Sequence, residues 1–243
     1  MTAAARAMPA DTPVPTCPDW VARDLIHHMG GVHRWATLCV AEARTEPPSE
    51  SLEEIAGGWP GDEELGDWLA AGSLALVAAL EAAPSDLESW TFMPAPSPLA
   101  FWCRRQAHET AIHRVDAERA AGRTVTHLSR CAPAFAADGV DELVTGFWPR
   151  RSATARTETP VTLGLGCTDA DSAWVVTMGP EGVRTAAGED VAGTGAASSA
   201  AVRGTACDLY FTLWNRGGSE SLSVEGDPAV LREFGEAMQV RWS

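Results

Sequence analysis

The sequence contains no lysine, so all 18 of its basic residues are arginine. They stand against 33 acidic residues, which leaves a formal net charge of −15. This negative charge repels phosphate groups and anionic lipid surfaces, so we expect neither nucleic acid nor a membrane as a partner. An anionic small molecule would need a local cluster of arginines to bind.

The sequence also lacks an uninterrupted apolar run of about 18 residues and a basic, apolar leader segment. We therefore expect a cytoplasmic protein without a membrane span. Its six cysteines include no C-x-x-C pair, which excludes a zinc ribbon and a dithiol redox motif of that spacing. Each is expected to be a small buried hydrophobe or a loop residue. The cysteines are Cys17, Cys39, Cys103, Cys131, Cys167 and Cys207.

The first part of the chain has the apolar spacing of helices. Apolar residues that recur every three or four positions predict helices over residues 19–43, 62–83, 99–121 and 133–147. A loop rich in Pro, Ser, Glu and Gly is expected at 46–61. Gly122 is expected to end the third of these helices.

From residue 161 onward the pattern changes to short strand-like runs between Gly, Pro and Asp turns. The predicted strands are 161–165, 174–178, 183–185, 200–205 and 222–224, with helices at 207–214 and 228–238. A loop is expected at 193–200. The segment 149–160 indicates a boundary between a helical metal-binding domain, 1–150, and a small α+β domain, 151–243. The fold class is therefore α+β.

Two side chains on the third predicted helix could bind a metal ion together. Glu109 and His113 are four residues apart and share a helix face, whereas His108 points about 100° away from Glu109. His108 and His113 are separated by one residue more than the two histidines of the H-E-x-x-H motif of zinc proteases.

The first predicted helix offers a third ligand. His28 lies on its apolar stripe, whereas His27 and His33 fall off that stripe. Inward side chains on two helices can converge inside a bundle. Two imidazoles and one carboxylate suit zinc with an open position for water or substrate.

A purely structural interpretation of these residues stays open at this point. An inward histidine can be a hydrogen-bonded core residue, and Glu109 can pair with Arg105 one turn earlier. Asp116, three residues after His113, can orient that histidine or cap a solvated face.

Several separated blocks resemble one known family. Residues 15–35, PTCPDWVARDLIHHMGGVHRW, and 101–118, FWCRRQAHETAIHRVDAE, are similar to blocks of the mycothiol-dependent maleylpyruvate isomerase family. That family belongs to the DinB-like helical metalloproteins. Residues 204–216, GTACDLYFTLWNR, and 224–228, VEGDP, resemble its sterol-carrier-like C-terminal domain. The resemblance implies a DinB-like bundle whose first helix is shortened here, followed by that small domain, and we expect an actinobacterial source.

The resemblance also implies a site and a chemistry. It places the metal ligands on His28, Glu109 and His113, with zinc as the expected divalent metal and mycothiol as cosubstrate. A metal-bound thiolate would add to an activated cis double bond, and elimination after rotation would give the trans product. Arg216 would bind a substrate carboxylate, although an arginine there is also typical of a helix end.

Three functions follow from these interpretations. The first is a thiol-dependent cis–trans isomerase or S-transferase that acts on a small electrophile, as a monomer or weak homo-oligomer. The second is a non-catalytic binding protein for a metal or small ligand. The third is a metal-dependent hydrolase that uses bound water, although no separate general base accompanies the ligands.

Overall fold

We analysed a computed structural model of the chain and describe residues 1–123, 131–151, 155–188 and 198–238. It divides into two compact units, Met1–His127 and Leu128–Ser243. The first unit is helical, and the second combines a five-stranded sheet with helices. The predicted α+β class is confirmed.

The first unit contains five described helices. They are α1 Thr2–Ala5, α2 Ala22–Ala41, α3 Leu52–Ala56, α4 Leu65–Ala82 and α5 Pro98–Ala120. Three of them match the predicted helices to within about three residues at each end. The short helix α3 lies in the segment predicted as a loop, where Ser51 and Glu54 form a capping box. That S-x-x-E spacing was the signal that could have found it.

Helix α2 is the centre of this unit and packs against α3, α4 and α5. Its Leu25, Ile26 and Met29 pack in one buried cluster with Leu65 and Leu69 of α4. Helix α5 begins where the Ser97 hydroxyl accepts a hydrogen bond from the Ala100 N–H. It is followed by Gly122 in the left-handed conformation, as the sequence predicts.

A glycine allows α4 to approach α2 closely. A Cβ atom added to Gly30 would overlap the Trp68 ring. That ring cannot easily move aside, because the Arg34 guanidinium carbon lies 3.9 Å from its centroid. Arg34 also donates hydrogen bonds to the carbonyls of Gly30 and Trp68. The α2–α4 contact therefore depends on the missing side chain at position 30.

Helix α4 is, among the helices of the described residues, the one long and apolar enough to cross a membrane by length and composition. Core helices of globular proteins meet the same two criteria, and Leu65, Leu69 and Leu76 of α4 are buried. Leu74 and Val77 are exposed on its other face.

The second unit begins with helix α6, Pro133–Asp141, which continues into π-helical residues Glu142–Phe147 and a 3₁₀ turn, Trp148–Arg151. The sheet has the strand order β3-β2-β1-β4-β5. Strand β1 is parallel to β4, and the other neighbouring pairs are antiparallel. The strands are β1 Val161–Cys167, β2 Ala173–Gly179, β3 Gly182–Ala187, β4 Ala200–Gly204 and β5 Ser223–Gly226. Helices α7, Ala206–Leu213, and α8, Pro228–Ala237, complete the unit.

The units divide at a different place from the predicted boundary after residue 150. Helix α6 packs against α7, and Gly139 lies against the Tyr210 ring, so α6 belongs to the second unit. The change in composition at 149–160 lies between the helix and the sheet of this one unit. The loop predicted at 193–200 lies mostly outside the described residues.

We expect Gly30→Ala to destabilise the protein by about 1–3 kcal/mol, because the added methyl group overpacks the α2–α4 contact. The free energy of unfolding in urea measures this change. Gly61→Ala is the control, because a Cβ atom there would meet its nearest neighbour, Glu64 Oε2, only at 3.9 Å. Equal stability of the two variants would contradict the close packing at Gly30.

Candidate metal centre

Helices α2 and α5 bring the three predicted ligands together. His28 lies on α2, and Glu109 and His113 lie one turn apart on α5. One ligand atom from each residue lies within 4.8 Å of the other two. The Nε2 atom of His28 is 3.1 Å from Glu109 Oε1, and the Nε2 atom of His113 is 3.3 Å from the same oxygen.

These separations suit a single small cation. Zinc bonds to nitrogen and oxygen of about 2.0–2.1 Å place neighbouring tetrahedral ligands about 3.3 Å apart. The two measured nitrogen–oxygen distances are close to that value. Three protein ligands leave one tetrahedral position open, as catalytic zinc sites require.

His113 is oriented by contacts to its other ring nitrogen. Its Nδ1 lies 2.8 Å from Asp116 Oδ2. The Asp116 carboxylate in turn accepts hydrogen bonds from the Thr16 hydroxyl and, at 3.8 Å, the Cys17 thiol. The buried Nε2 atom of His113 faces Glu109 Oε1 at 3.3 Å, and it makes no hydrogen bond of good geometry within the described part of the chain. A ring nitrogen that is held in this way and faces a carboxylate fits a metal ligand.

Glu109 is buried and has a charged partner on each side of its carboxylate. Arg105 Nη2 donates a hydrogen bond to Oε2 at 3.0 Å, while the two histidines face Oε1. Burial by itself would raise the pKa of Glu109. The close contacts with His113 and His28, and the charge of Arg105, outweigh burial and hold that pKa well below its usual range. The carboxylate is therefore ionised.

The two imidazoles differ in their proton affinity. Burial lowers the pKa of His28, with partial compensation by its hydrogen bond to Glu109. Burial would also lower the pKa of His113, but its hydrogen bond with Asp116 and its close contact with the Glu109 carboxylate raise that pKa overall. A divalent cation would replace the proton on His113 and balance the two buried carboxylates, Glu109 and Asp116.

An aromatic wall covers the ligand rings. The Trp20 ring lies 5.0 Å from the His28 ring and stacks on the His113 ring at 5.9 Å, both measured between centroids. Helical spacing in the sequence does not indicate Trp20 or Thr16 as parts of this site. Both lie in the non-helical segment before α2, where helical spacing gives no orientation.

The structure separates the neighbouring histidines from the site. The His27 ring stacks on Trp59. His33 was expected to fall off the apolar stripe, yet it is buried and its Nε2 lies 3.1 Å from the Thr110 hydroxyl. His108 is also buried. Because α2 and α5 have neighbours on more than one side, a residue off the main stripe can still be buried.

Arg216 lies in the second unit, just after α7. It follows Asn215, which adopts the left-handed conformation. The Arg216 side chain is buried, and its Nη1 donates a hydrogen bond to the Trp214 carbonyl at 2.9 Å. This hydrogen bond holds the guanidinium against the backbone at the end of α7, within the second unit.

Comparison with known proteins finds matches to one family in both units. Residues 1–118 match the mycothiol maleylpyruvate isomerase N-terminal domain, and residues 134–233 match the MDMPI C-terminal domain. A search of curated proteins found no match.

Two solved structures are similar in fold. A crystal structure of the mycothiol-dependent maleylpyruvate isomerase is 15% identical, with a TM-score of 0.61. A histidine-to-alanine mutant of the mycothiol-dependent maleylpyruvate isomerase is 14% identical, with a TM-score of 0.56. Each alignment covers 92% of this chain and 86% of the other. At this identity the likeness shows the fold alone.

We expect His33 to make the protein acid-sensitive. Burial lowers the pKa of His33 to about 4, whereas an unfolded histidine titrates near about 6.5. Between these values the unfolded chain binds a proton that the folded chain does not, so stability falls as pH falls through this window. The loss approaches about 3 kcal/mol at its lower end.

The test compares the free energy of unfolding of chelator-treated wild type and His33→Gln at pH 7.5 and pH 4.5. Carboxyl groups titrate in both proteins, so their contribution cancels in the comparison. We expect the variant to lose about 2–3 kcal/mol less than wild type across this interval. Parallel profiles would show that His33 is not held in its neutral form.

Proposed function

The chain belongs to the mycothiol maleylpyruvate isomerase family, and from this premise we propose that it is a metal- and mycothiol-dependent enzyme. The reaction is cis–trans isomerisation of a small electrophile or transfer of the thiol sulfur to one. The observation that carries the proposal is the convergence of His28, Glu109 and His113 within 4.8 Å. Family membership and this ligand set support the same chemistry.

Zinc is the proposed metal because two imidazoles and one carboxylate suit its borderline character. When bound, such a cation favours the thiolate form of a coordinating thiol. Glu109 contributes the negative charge of the ligand set, and Arg105 restrains its second oxygen. Asp116 holds the His113 ring so that Nε2 faces the site.

The thiol is proposed to reach the site from the side of His28. The His28 side chain is 13% exposed, whereas those of Glu109 and His113 are 4% and 1% exposed. The Trp20 ring shields the two histidines from water on one side. Such shielding strengthens the electrostatic interactions that hold a thiolate.

Both proposed reactions use the thiolate as a nucleophile. In isomerisation it adds to an activated cis double bond, the single bond rotates, and elimination releases the thiol and the trans product. In S-transfer the thiolate adds to the activated double bond, a proton adds to the neighbouring carbon, and the new carbon–sulfur bond remains in the product. Arg216 is proposed to bind a substrate carboxylate, which would offset the unfavourable net charge of the protein.

We expect each ligand substitution to weaken zinc binding by more than about 100-fold, because each removes one of three protein ligands. The variants are His28→Gln, Glu109→Gln and His113→Gln, and the measurement is zinc affinity by competition with a chelating dye. Asp116→Asn should weaken binding by about 10–100-fold, because it only orients His113.

Two neighbouring histidines provide matched controls for this experiment. The first control, His27→Gln, changes the residue next to His28 on α2. The second, His108→Gln, changes the residue next to Glu109 on α5. Both should retain zinc affinity near that of wild type. Full zinc binding by Glu109→Gln, or equal loss in the controls, would contradict the ligand assignment.

We expect turnover of maleylpyruvate, or of a reactive electrophile, to require both zinc and mycothiol. Arg216→Ala should raise KM for a carboxylate substrate by about 10-fold or more, because a charge-assisted hydrogen bond is lost, while zinc content stays unchanged. Arg203→Ala in strand β4 is the control arginine of the same unit.

The outcomes of this assay separate the proposed function from its competitors. Turnover without thiol would contradict it in favour of a hydrolase that uses bound water. Zinc binding without turnover of either substrate class would contradict it in favour of a binding protein. An unchanged KM in Arg216→Ala would remove Arg216 from the substrate site.

A further inference from the structure

Two cysteines outside the metal centre meet where helices α6 and α7 begin. Cys131 lies two residues before α6, and Cys207 is the second residue of α7. They are 76 positions apart in sequence and lie in the same compact unit. The spacing of cysteines along the chain gave no indication of this pair.

The packing of the two helices explains why these residues meet. Trp214 Nε1 donates a hydrogen bond to the Gly139 carbonyl at 3.1 Å. One turn earlier, the Phe135 ring contacts the Tyr210 ring edge-on at 6.2 Å between centroids. The helices therefore run side by side in the same direction. About one turn further back, the chain reaches Cys131 just before α6 and Cys207 in the first turn of α7.

The two thiols are in direct contact. The side chains of Cys131 and Cys207 are joined by a hydrogen bond, which together with burial raises the pKa of Cys207. Cys207 thus retains its proton at neutral pH. Both cysteines are partly exposed, so a small reagent can reach them.

We propose that Cys131 and Cys207 form a reversible disulfide by exchange with a low-molecular-weight disulfide. This modification site is independent of the proposed metal chemistry. The hydrogen bond between the two side chains makes the sulfurs neighbours, which is the first requirement for such a bond.

The exchange proceeds in two balanced steps. The Cys131 thiolate attacks one sulfur of the small disulfide, forms a mixed disulfide and releases one small thiolate. Cys207 then loses its proton, and its thiolate attacks the Cys131 sulfur and releases the second small thiolate. The protein dithiol is oxidised by two electrons, and the small disulfide is reduced to two thiols.

The remaining cysteines differ from this pair. Cys39 is buried, and burial raises its pKa to about 11. Cys17 contacts the carboxylate of Asp116. Cys103 is exposed on α5 and can form a mixed disulfide that would obscure the result. The experiment therefore uses Cys103→Ser as its background.

The test treats the reduced Cys103→Ser protein with glutathione disulfide and counts free thiols after unfolding in denaturant. Five of the six cysteines remain in this background, and we expect two of the remaining thiols to disappear. Peptide mass spectrometry should then find Cys131 joined to Cys207. Excess dithiothreitol should restore all thiols.

Variants in the same background identify the attacking sulfur. Cys207→Ser should stop at a mixed disulfide between glutathione and Cys131, and Cys131→Ser should form no intramolecular bond. The oxidised parent should also melt about 5 °C or more above the reduced form, because the bond closes a long loop. Cys167→Ser is the matched control and should oxidise like the parent.

Three results would overturn the proposal. They are retention of all thiols after treatment, a disulfide between any other two cysteines, and loss of two thiols in Cys131→Ser. Because the parent protein alone gives the first two readings, the test does not depend on the folding of any serine variant at these two positions.

Discussion

The ionised carboxylate of Glu109 is the constraint on which the first unit depends. It is buried, and a buried charge is tolerated only with close compensation. Arg105 compensates one oxygen, and His28 and His113 face the other. Since His28 comes from α2 and the others come from α5, this one carboxylate links the two helices. A divalent cation at the same point would complete the compensation.

The surroundings of this carboxylate are organised by the packing of α2. Gly30 lets α4 approach closely on one side, and His33 contacts Thr110 of α5 on another. The segment before α2 brings Trp20 over the ligand rings and Thr16 onto Asp116. The proposed ligand set is therefore supported by parts of the chain that carry no proposed ligand, which is typical of metal sites in proteins.

In the second unit, helix α7 has a residue with a proposed chemical role at each of its ends. Cys207 lies in its first turn against Cys131, and Arg216 follows its end. The packing of α7 against α6, through Gly139, Tyr210 and Trp214, positions both Cys207 and Arg216. A disulfide at one end of this helix would restrain the element that precedes Arg216, while the proposed metal ligands belong to the first unit.

The sequence by itself determined the longer helices and the strands, because apolar periodicity and turn residues are local signals, but not the short helix α3. It also selected Glu109 with His113 by helical spacing and His28 by its place on an apolar stripe, and the family resemblance pointed to the same three residues. Only the tertiary structure decided which residues outside the helices join the site, namely Trp20 and Thr16. It also decided the burial of His33, the placement of α6 in the second unit and the meeting of Cys131 with Cys207. Each of these depends on contacts between segments distant in sequence, about which a local pattern carries no information.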